Sequence, residues 1–215
     1  MSMVPARAQV MRDGTAICLQ VVSEYPFRDE AVIEVTADRP VTMELLLRIP
    51  GFADEAWVDG KKAEPGSFFR LHRTWEGSTR IIVRFSYETK LAERPFGARA
   101  AVRGPFVYSL PVKAECRLLE YSRNGVERKA PYCDYEFTPV SDWNYGFCSE
   151  YFEVIPQNMG DYPFSVEKPP VRLKTKMVKV PWEEKGGVCH VEPSKRIALG
   201  EPEDMYLQPL SLIHI

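Results

Sequence analysis

Few residues of this sequence have the types and spacing that bond-breaking chemistry requires. Zinc sites are usually marked by Cys-x-x-Cys or by two histidines one helical turn apart, and the sequence has neither pattern. Cys189 and His190 form an adjacent pair of candidate ligands, but neighbouring residues of a strand point to opposite faces. The pattern therefore favours a buried thiol beside a surface imidazole over a metal site.

Side chains for nucleophilic or acid–base catalysis are equally sparse. A serine or cysteine nucleophile needs a base beside it, and the candidate imidazoles are His72, His190 and His214. His72 follows apolar Leu71 in a predicted strand, which is typical of a solvent-facing position. Two carboxylates can cleave a glycosidic bond when they lie roughly 5 to 10 Å apart. The acid pairs of this chain adjoin predicted turns, where solvated acids are common: Asp29-Glu30, Asp54-Glu55, Glu183-Glu184 and Glu203-Asp204. The sequence thus predicts no catalytic residue.

Aromatic residues are the remaining candidates for ligand contacts, because a flat apolar ring can stack on a sugar ring. Trp143, Asn144 and Tyr145 bring an indole, an amide and a phenol together in a predicted loop, and functional contacts concentrate in loops. We expect these three residues to contact carbohydrate or a neighbouring domain. Trp57 and Trp75 flank hairpin-like segments and are expected to fill the core.

Composition argues against several classes of function. The 215 residues include 28 Lys and Arg against 30 Asp and Glu, and the net charge of −2 provides no broad basic field for a nucleic-acid partner. No apolar run approaches the roughly 20 residues that span a bilayer, and residues 1–14 lack the apolar stretch of a signal peptide. The five cysteines are odd in number and widely spaced, which favours buried free thiols over a disulfide framework. We therefore expect a cytoplasmic protein with neither a nucleic-acid nor a membrane partner.

Period-2 alternation of apolar side chains predicts the fold class. In the segment 42–49, Met43, Leu45, Leu47 and Ile49 fall on one face, as in a half-buried strand. Helical periodicity is absent, and 13 Gly and 18 Pro separate the apolar runs at strand-plus-turn spacing. These features predict an all-β protein. Strands are predicted over 16–22, 31–36, 42–49, 56–58, 68–72, 80–86, 99–103, 106–110, 117–122, 147–155, 171–180 and 205–207.

Turn signals connect the predicted strands. Type I′ hairpin turns need positive φ at both central residues, which predicts tight turns at Asp59-Gly60 and Asn124-Gly125. Two longer polar and aromatic segments with Pro or Gly, 134–146 and 157–163, are predicted as loops.

The length suits two ordinary domains of roughly 100 residues each. We predict two consecutive β-sandwich or jelly-roll-type domains, the first over 15–112 and the second over 113–209. Residues 1–14 are expected to form an N-terminal tail, and residues 210–215 a tail of non-native origin.

Six segments of the chain occur in the order and spacing of one known family. The segments are Tyr25-Pro26-Phe27, Leu47-Arg48-Ile49-Pro50-Gly51-Phe52, Val58-Asp59-Gly60-Lys61, Arg73-Thr74-Trp75-Glu76-Gly77, Arg103-Gly104-Pro105-Phe106-Val107-Tyr108 and Trp143-Asn144-Tyr145-Gly146. They resemble the β-L-arabinofuranosidase-like proteins of glycoside hydrolase family 127, over roughly Cys18 to Gln208. Members of that family carry an N-terminal (α/α)6 barrel followed by two β-sandwich or jelly-roll domains, and this chain resembles only the latter.

The resemblance implies chemistry that this chain does not carry. Catalysis in the family is attributed to a Glu acid/base and a zinc-held Cys nucleophile, with ligands from a Glu-Thr-Cys segment and a Cys-Cys pair. This sequence has neither signal, so no catalytic or zinc-binding position can be assigned to it, and no cofactor is expected in this chain. The zinc of the family would belong to the barrel.

Three functions remain open at this stage. The resemblance favours a non-catalytic scaffold for the catalytic barrel of the parent chain, inactive by itself. One alternative is a carbohydrate-binding module that holds glycan through Trp143 and Tyr145. Another is a dimerisation domain, in which a sandwich face joins two copies of the parent.

The end of the chain departs from the family pattern. Family members tend to follow a Leu-x-Pro strand with Tyr-Gly-Cys and a final Leu-Arg strand, whereas Leu207-Gln208-Pro209 is followed by the hexapeptide 210–215. That hexapeptide resembles a translated sequencing-adapter tail. A last strand would then be missing, which would leave an exposed sheet edge.

Overall fold

Antiparallel β-strands account for the regular structure of this protein. The computed structural model describes residues 3–163, 165, 167–186, 188–190 and 197–210. Within these residues it has nineteen strands and a single 3-10 turn at Pro95–Gly97. None of the described segments forms a helix with the length and hydropathy that crossing a lipid bilayer requires. The predicted all-β class with sandwich-type antiparallel sheets is confirmed.

Six strands form the first sheet. They are β1 (Ala6–Arg12), β2 (Thr15–Ser23), β3 (Glu30–Arg48), β4 (Glu55–Val58), β5 (Lys61–Ala63) and β6 (Phe68–Ser86). Their order across the sheet is β1-β2-β3-β6-β4-β5, and each neighbouring pair is antiparallel. Both predicted turns adopt the positive φ values that a type I′ hairpin needs, at Asp59-Gly60 and Asn124-Gly125.

The alternation that predicted these strands also fills the first core. Leu45, Leu47 and Ile49 are all at most 5% exposed, and they pack with the alternating residues of β6. Trp75 is also buried in this core, as expected, and its indole N–H donates to the carbonyl oxygen of Met43 at 3.0 Å. Burying that N–H with a partner avoids the cost of an unpaired donor.

β3 and β6 are each one long strand where the sequence predicts two. Between Ala37 and Val41, β3 has three intervening residues, whereas its partner β6 has one between Gly77 and Trp75. The two extra residues in β3 form a bulge, and Pro40 is accommodated there because a bulge needs no ladder donor from it. The break in the pattern is therefore real, but it bends a strand rather than ending one.

The N-terminal segment differs from its prediction. Residues 1–14 are expected to be a tail, but Ala6–Arg12 pairs with β2 as the edge strand of the first sheet. All seven residues of β1 are exposed, so its sequence shows no buried face. Asp13 and Gly14 both have positive φ, and this Asp-Gly hairpin signal would have revealed the strand.

A second sheet gathers strands from distant parts of the chain. It contains β7 (Thr89–Glu93), β8 (Arg99–Arg103), β9 (Phe106–Ser109), β14 (Tyr145–Phe147), β15 (Glu153–Pro156), β16 (Val171–Lys179) and β19 (Glu203–Pro209). The order is β14-β16-β19-β9-β8-β7, and β15 also pairs with β16. The other strands of the described residues form three two-stranded sheets. These pair β10 (Ala114–Leu119) with β13 (Asp134–Pro139), β11 (Tyr121–Arg123) with β12 (Val126–Arg128), and β17 (Glu184–Lys185) with β18 (Val188–Cys189).

Strand pairing does not change at the predicted boundary between 112 and 113. β7, β8 and β9 precede that point, yet β9 pairs with β19 in the second sheet. The change of sheet falls between Ser86 and Thr89. The segment 134–146, predicted as a loop, begins with strand β13. The predicted tail 210–215 lies outside the described residues except for Leu210.

One short connection joins the two cores. Tyr25 packs against the first core, whereas Phe27 is buried in the second. The Phe27 ring stacks on Phe106 of β9 with 5.1 Å between centroids. The β2–β3 connection therefore fastens the second sheet to the first, and a cleft forms beside it.

Candidate functional sites

Residues 143–145, which the sequence predicts to contact carbohydrate or another domain, lie in a small hydrogen-bonded cluster. Asn144 donates its side-chain amide to the carbonyl oxygen of Val180 and accepts the Val180 N–H at its own carbonyl, both at 2.8 Å. The rings of Trp143 and Trp182 meet edge to face with centroids 5.2 Å apart. The Trp182 indole N–H donates to the carbonyl oxygen of His190 at 2.7 Å.

Charges surround the phenol of this cluster. Lys179 lies with its ammonium 5.9 Å from the centroid of the Tyr145 ring and forms an ion pair with Asp142 at 2.5 Å. Partial burial, and then the carboxylate of Glu203, raise the pKa of Tyr145. Trp143, Asn144 and Tyr145 are all half-buried. The three residues thus lie together as predicted, but Asn144 is engaged with backbone and the rings are partly covered, so their role as a glycan or domain contact stays a prediction.

The acid pairs considered for glycoside cleavage are engaged in surface ion pairs. Each pair supplies a carboxylate to a cation, as in Glu30 with Arg84 at 2.6 Å, Asp54 with Lys90 at 2.6 Å, Glu183 with Lys185 at 3.6 Å and Asp204 with Lys176 at 2.8 Å. The hydrogen bond from Lys90 lowers the pKa of Asp54, and that from Lys176 lowers the pKa of Asp204. A general acid needs a raised pKa, so these shifts have the wrong sign for that role.

The described residues do not fit a zinc centre of the kind the family would imply. No group of three His, Cys, Asp or Glu side chains converges within the described ranges. The five cysteines are free thiols, as expected, but the expected burial is wrong: Cys116, Cys148 and Cys189 are exposed and the other two are half-buried. His190 is exposed beside Cys189. Cys116 and Cys189 lie on short exposed strands and Cys148 lies in a loop, where no core covers them.

A cleft of about 310 Å³ lies between the two sheets beside the β2–β3 connection. Its polar lining comes from Arg28, Asp29, Tyr87, Arg103 and Tyr108, and its apolar lining includes Pro26, Phe27, Phe106, Val154, Pro156 and Val171. Sequence reasoning missed this cleft because these residues come from separate strands. The segment Arg103-Gly104-Pro105-Phe106 was a signal, since it supplies two of the lining residues.

Two arginines of the cleft have different surroundings. Arg28 donates to the carbonyl oxygens of Gln157 at 2.5 Å and Pro170 at 3.1 Å, and it pairs with Glu24 at 3.2 Å. Its donors are therefore used to hold the second sheet against the connection. Arg103 instead stacks over the Tyr87 ring, with Cζ 4.1 Å from the ring centroid.

The two tyrosines of the cleft are buried, and their burial raises the pKa of each phenol. Tyr87 and Tyr108 are 8% and 4% exposed, and burial raises the pKa of both, most strongly for Tyr108. Gly104 allows the Tyr87 ring to lie against the β8–β9 turn, because a Cβ on Gly104 would lie 2.8 Å from Tyr87 Cε2. Both phenols therefore remain neutral hydrogen-bonding groups near neutral pH.

The β10–β13 pair forms an exposed two-faced ribbon, which we call the 114–139 ribbon. Its register places Cys116 opposite Phe137 and Leu118 opposite Tyr135, so these four side chains share one face. That face is uncovered: Leu118 is 47% and Phe137 is 48% exposed. The intervening residues of the other face are polar, including Arg117 opposite Glu136. The ribbon thus presents an amphipathic pair of strands with its apolar face in solvent.

Trp57 does not fill the core as expected. Its neighbours Ala56 and Val58 are at most 1% exposed, so the alternation of β4 turns Trp57 to the opposite face of the sheet. There it is half-buried and lines a shallow surface pocket with Ile82 and Arg84.

The described residues form an all-β unit built from antiparallel sheets. Residues 3–87 match the family model described as the middle domain of the GH127 β-L-arabinofuranosidases. No curated protein matches the sequence at a significant level.

Solved structures agree with this match in fold. A GH127 β-L-arabinofuranosidase from Geobacillus stearothermophilus T6 superposes with a TM-score of 0.60 at 18% identity, over 98% of this chain and 30% of that one. A structure described as a glycoside hydrolase gives 0.56 at 19% identity, over 96% of this chain and 32% of that one. A GH127 β-arabinofuranosidase gives 0.50 at 14% identity, over 96% and 31%.

The resemblance stated from the sequence motifs is thereby confirmed. This chain is similar to a β-rich part of GH127-like proteins. It spans about 30% of the length of the enzymes it matches.

Proposed function

We propose that this chain is a non-catalytic scaffold that packs against the catalytic barrel of a GH127-like parent. The uncovered apolar face of the 114–139 ribbon carries this proposal. Cys116, Leu118, Tyr135 and Phe137 lie side by side on it, and contiguous exposed apolar surface of this kind marks an interaction site.

Two observations suggest which partner covers the apolar face of the 114–139 ribbon: the marginal stability of the ribbon and the extra length of the matched enzymes. An isolated two-stranded ribbon is marginally stable in water, so a covering partner would stabilise it. The matched enzymes contain more than twice as much chain again beyond the part that this one covers. A domain of the same polypeptide is held at high effective concentration, and this favours the parent's barrel as the partner that covers the ribbon.

The parent's activity would be the hydrolysis of plant or glycoprotein β-L-arabinofuranosides. The matched family and the Geobacillus enzyme are β-L-arabinofuranosidases, which supports the bond type of this proposal. In that arrangement the barrel supplies the acid/base, the nucleophile and the zinc. The present chain supplies none of these groups, and its carboxylates with lowered pKa stay ionised at neutral pH.

Co-purification tests the scaffold role. The sequence that the gene encodes on the N-terminal side is expressed as a separate polypeptide together with this chain carrying an affinity tag. We expect a helical barrel that is retained by the tagged chain, and Leu118→Asp with Phe137→Asp should abolish retention. Val10→Asp on the exposed strand β1 is the matched control and should retain it.

Three results would contradict the scaffold role. They are an upstream sequence that encodes no helical barrel, a barrel that does not co-purify, and a barrel that co-purifies equally well with the ribbon variant.

A carbohydrate-binding module is the second candidate, favoured by the half-exposed ring pair of Trp143 and Trp182 next to Tyr145. Gel electrophoresis through plant arabinan would show retardation of the wild type and its loss in Trp143→Ala. A pure scaffold shows no retardation in either protein. Dimerisation is the third, and light scattering that finds only monomer at high concentration would count against it.

A further inference from the structure

The cleft between the two sheets is lined by an arginine with a buried donor that has no partner within the described part of the chain. Arg103 lines the cleft, and its Nε is buried with no hydrogen-bond partner among the described residues. Thr89 Oγ1, behind the lining on the neighbouring strand, is likewise buried and unpartnered there. Thr89 and Arg103 are direct neighbours across β7 and β8, so their side chains lie on the same face. An unpaired buried donor costs about 1 to 3 kcal/mol, and such groups in native proteins are usually paired with water or a ligand.

The charges at the cleft favour a neutral ligand. Arg28 is already paired with Glu24, so this pair adds no net charge. Arg103 forms no ion pair with any residue of the described ranges, but the carboxylate of Asp29 lies at the same cleft and is exposed. The Asp29 carboxylate would repel an anionic ligand, and the Arg103 guanidinium would repel a cationic one. A molecule with hydroxyl groups can satisfy both, because a hydroxyl accepts from a guanidinium and donates to a carboxylate.

The size and lining of the cleft narrow the class of ligand further. Ligand pockets span roughly 300 to 1,000 Å³, and a cleft of about 310 Å³ fits one small ring rather than a chain of rings. Phe106 and Tyr108 supply aromatic walls, and their rings meet edge to face with centroids 6.3 Å apart. Apolar C–H groups of a ring can pack on such walls.

We propose that the inter-sheet cleft binds a neutral polyhydroxylated molecule of about one sugar ring in size. Arg103 donates to its hydroxyl oxygens, and Asp29 accepts from a hydroxyl at the rim. The aromatic walls hold its apolar edge. This site lies apart from Trp143 and Tyr145 and does not depend on the scaffold role.

Calorimetric titration and saturation-transfer NMR of the 215-residue chain test the proposal, with D-glucose, L-arabinose and xylitol as probes. We expect saturable binding of at least one probe in the millimolar range. Arg103→Gln should weaken it about tenfold or more, because a hydrogen bond from a charged donor is lost, and Asp29→Asn should weaken it at unchanged volume. Arg84→Gln, on the outer face of the first sheet, is the matched control and should leave binding unchanged.

Several outcomes would overturn the proposal. They are no saturable binding of any probe, binding of acetate in preference to all three probes, equal weakening by Arg84→Gln, or loss of binding in Trp143→Ala. Thermal unfolding checks that Arg103→Gln is folded. If it is not, Asp29→Asn decides, because Asp29 is exposed and its substitution removes no buried packing.

Discussion

Gly104→Ala is the substitution whose cost the structure defines best. Gly104 has φ of +57°, a conformation that costs a residue with a Cβ about 1 to 2 kcal/mol. The added Cβ would lie 2.8 Å from Tyr87 Cε2 and 3.2 Å from Cδ2. The Tyr87 ring cannot easily retreat, because Phe52, Phe85 and Arg103 pack around it at 5.2, 5.9 and 4.1 Å.

Overpacking of this kind adds about 1 to 3 kcal/mol. We therefore expect Gly104→Ala to lower the free energy of unfolding by about 2 to 5 kcal/mol in all. Gly77→Ala is the matched control, because Gly77 has φ of +63° and no atom within 4 Å of an added Cβ. Its cost should be the backbone part alone, about 1 to 2 kcal/mol.

Urea unfolding followed by tryptophan fluorescence measures both variants. In a Tyr87→Leu background the steric contact is gone, so the penalty of Gly104→Ala should fall to that of Gly77→Ala. Equal losses for the two glycine variants, or a Gly104 penalty that persists without the Tyr87 ring, would refute the assignment of Gly104 as the residue that makes room for Tyr87.

Two further substitutions probe the connection and the surface charges. Phe27→Ala should lower the free energy of unfolding by about 3 to 5 kcal/mol in thermal unfolding, because the buried ring stacks on Phe106. Phe96 is 94% exposed, so the control Phe96→Ala should change stability by less than about 0.5 kcal/mol. Similar losses for the two variants would contradict the role of Phe27. The hydrogen bond from Lys90 lowers the pKa of Asp54 in the folded protein. This interaction therefore stabilises the fold at pH values above the unfolded-state pKa of Asp54, and the stabilisation is lost as the pH falls through the lower folded-state pKa. The stability difference between the wild type and Asp54→Asn should therefore be constant near neutral pH and vanish in strong acid, and a difference that grows on acidification would be contrary to this.

Local alternation made much of the first core predictable. Leu47, Ile81 and Val83 are each fully buried, and each sits in a run where apolar and polar residues alternate. The same rule failed for β1 because an edge strand with every residue exposed has no buried face to reveal it. The segment 134–146 was predicted as a loop, although Tyr135 and Phe137 alternate with polar residues where the structure has strand β13. Both side chains face solvent, so this alternation does not mark a buried face.

The cleft and the second sheet could not be read from local pattern. Asp29, Tyr87 and Arg103 meet only because the β2–β3 connection passes to the second core and β9 pairs with β19. Such long-range pairings depend on which sheet edges meet, and alternation along one strand does not encode that. The residues 143–145 were predictable as a cluster because they are adjacent, but their pairing with Val180 and Trp182 was not.

Hydrolysis is the most direct test of the proposal that this chain is a non-catalytic scaffold. The purified 215-residue protein is incubated with an aryl β-L-arabinofuranoside and zinc, and release of the aryl alcohol is followed. We predict no release above the buffer control. Turnover that co-elutes with the protein through chromatography and scales with its concentration would contradict the account.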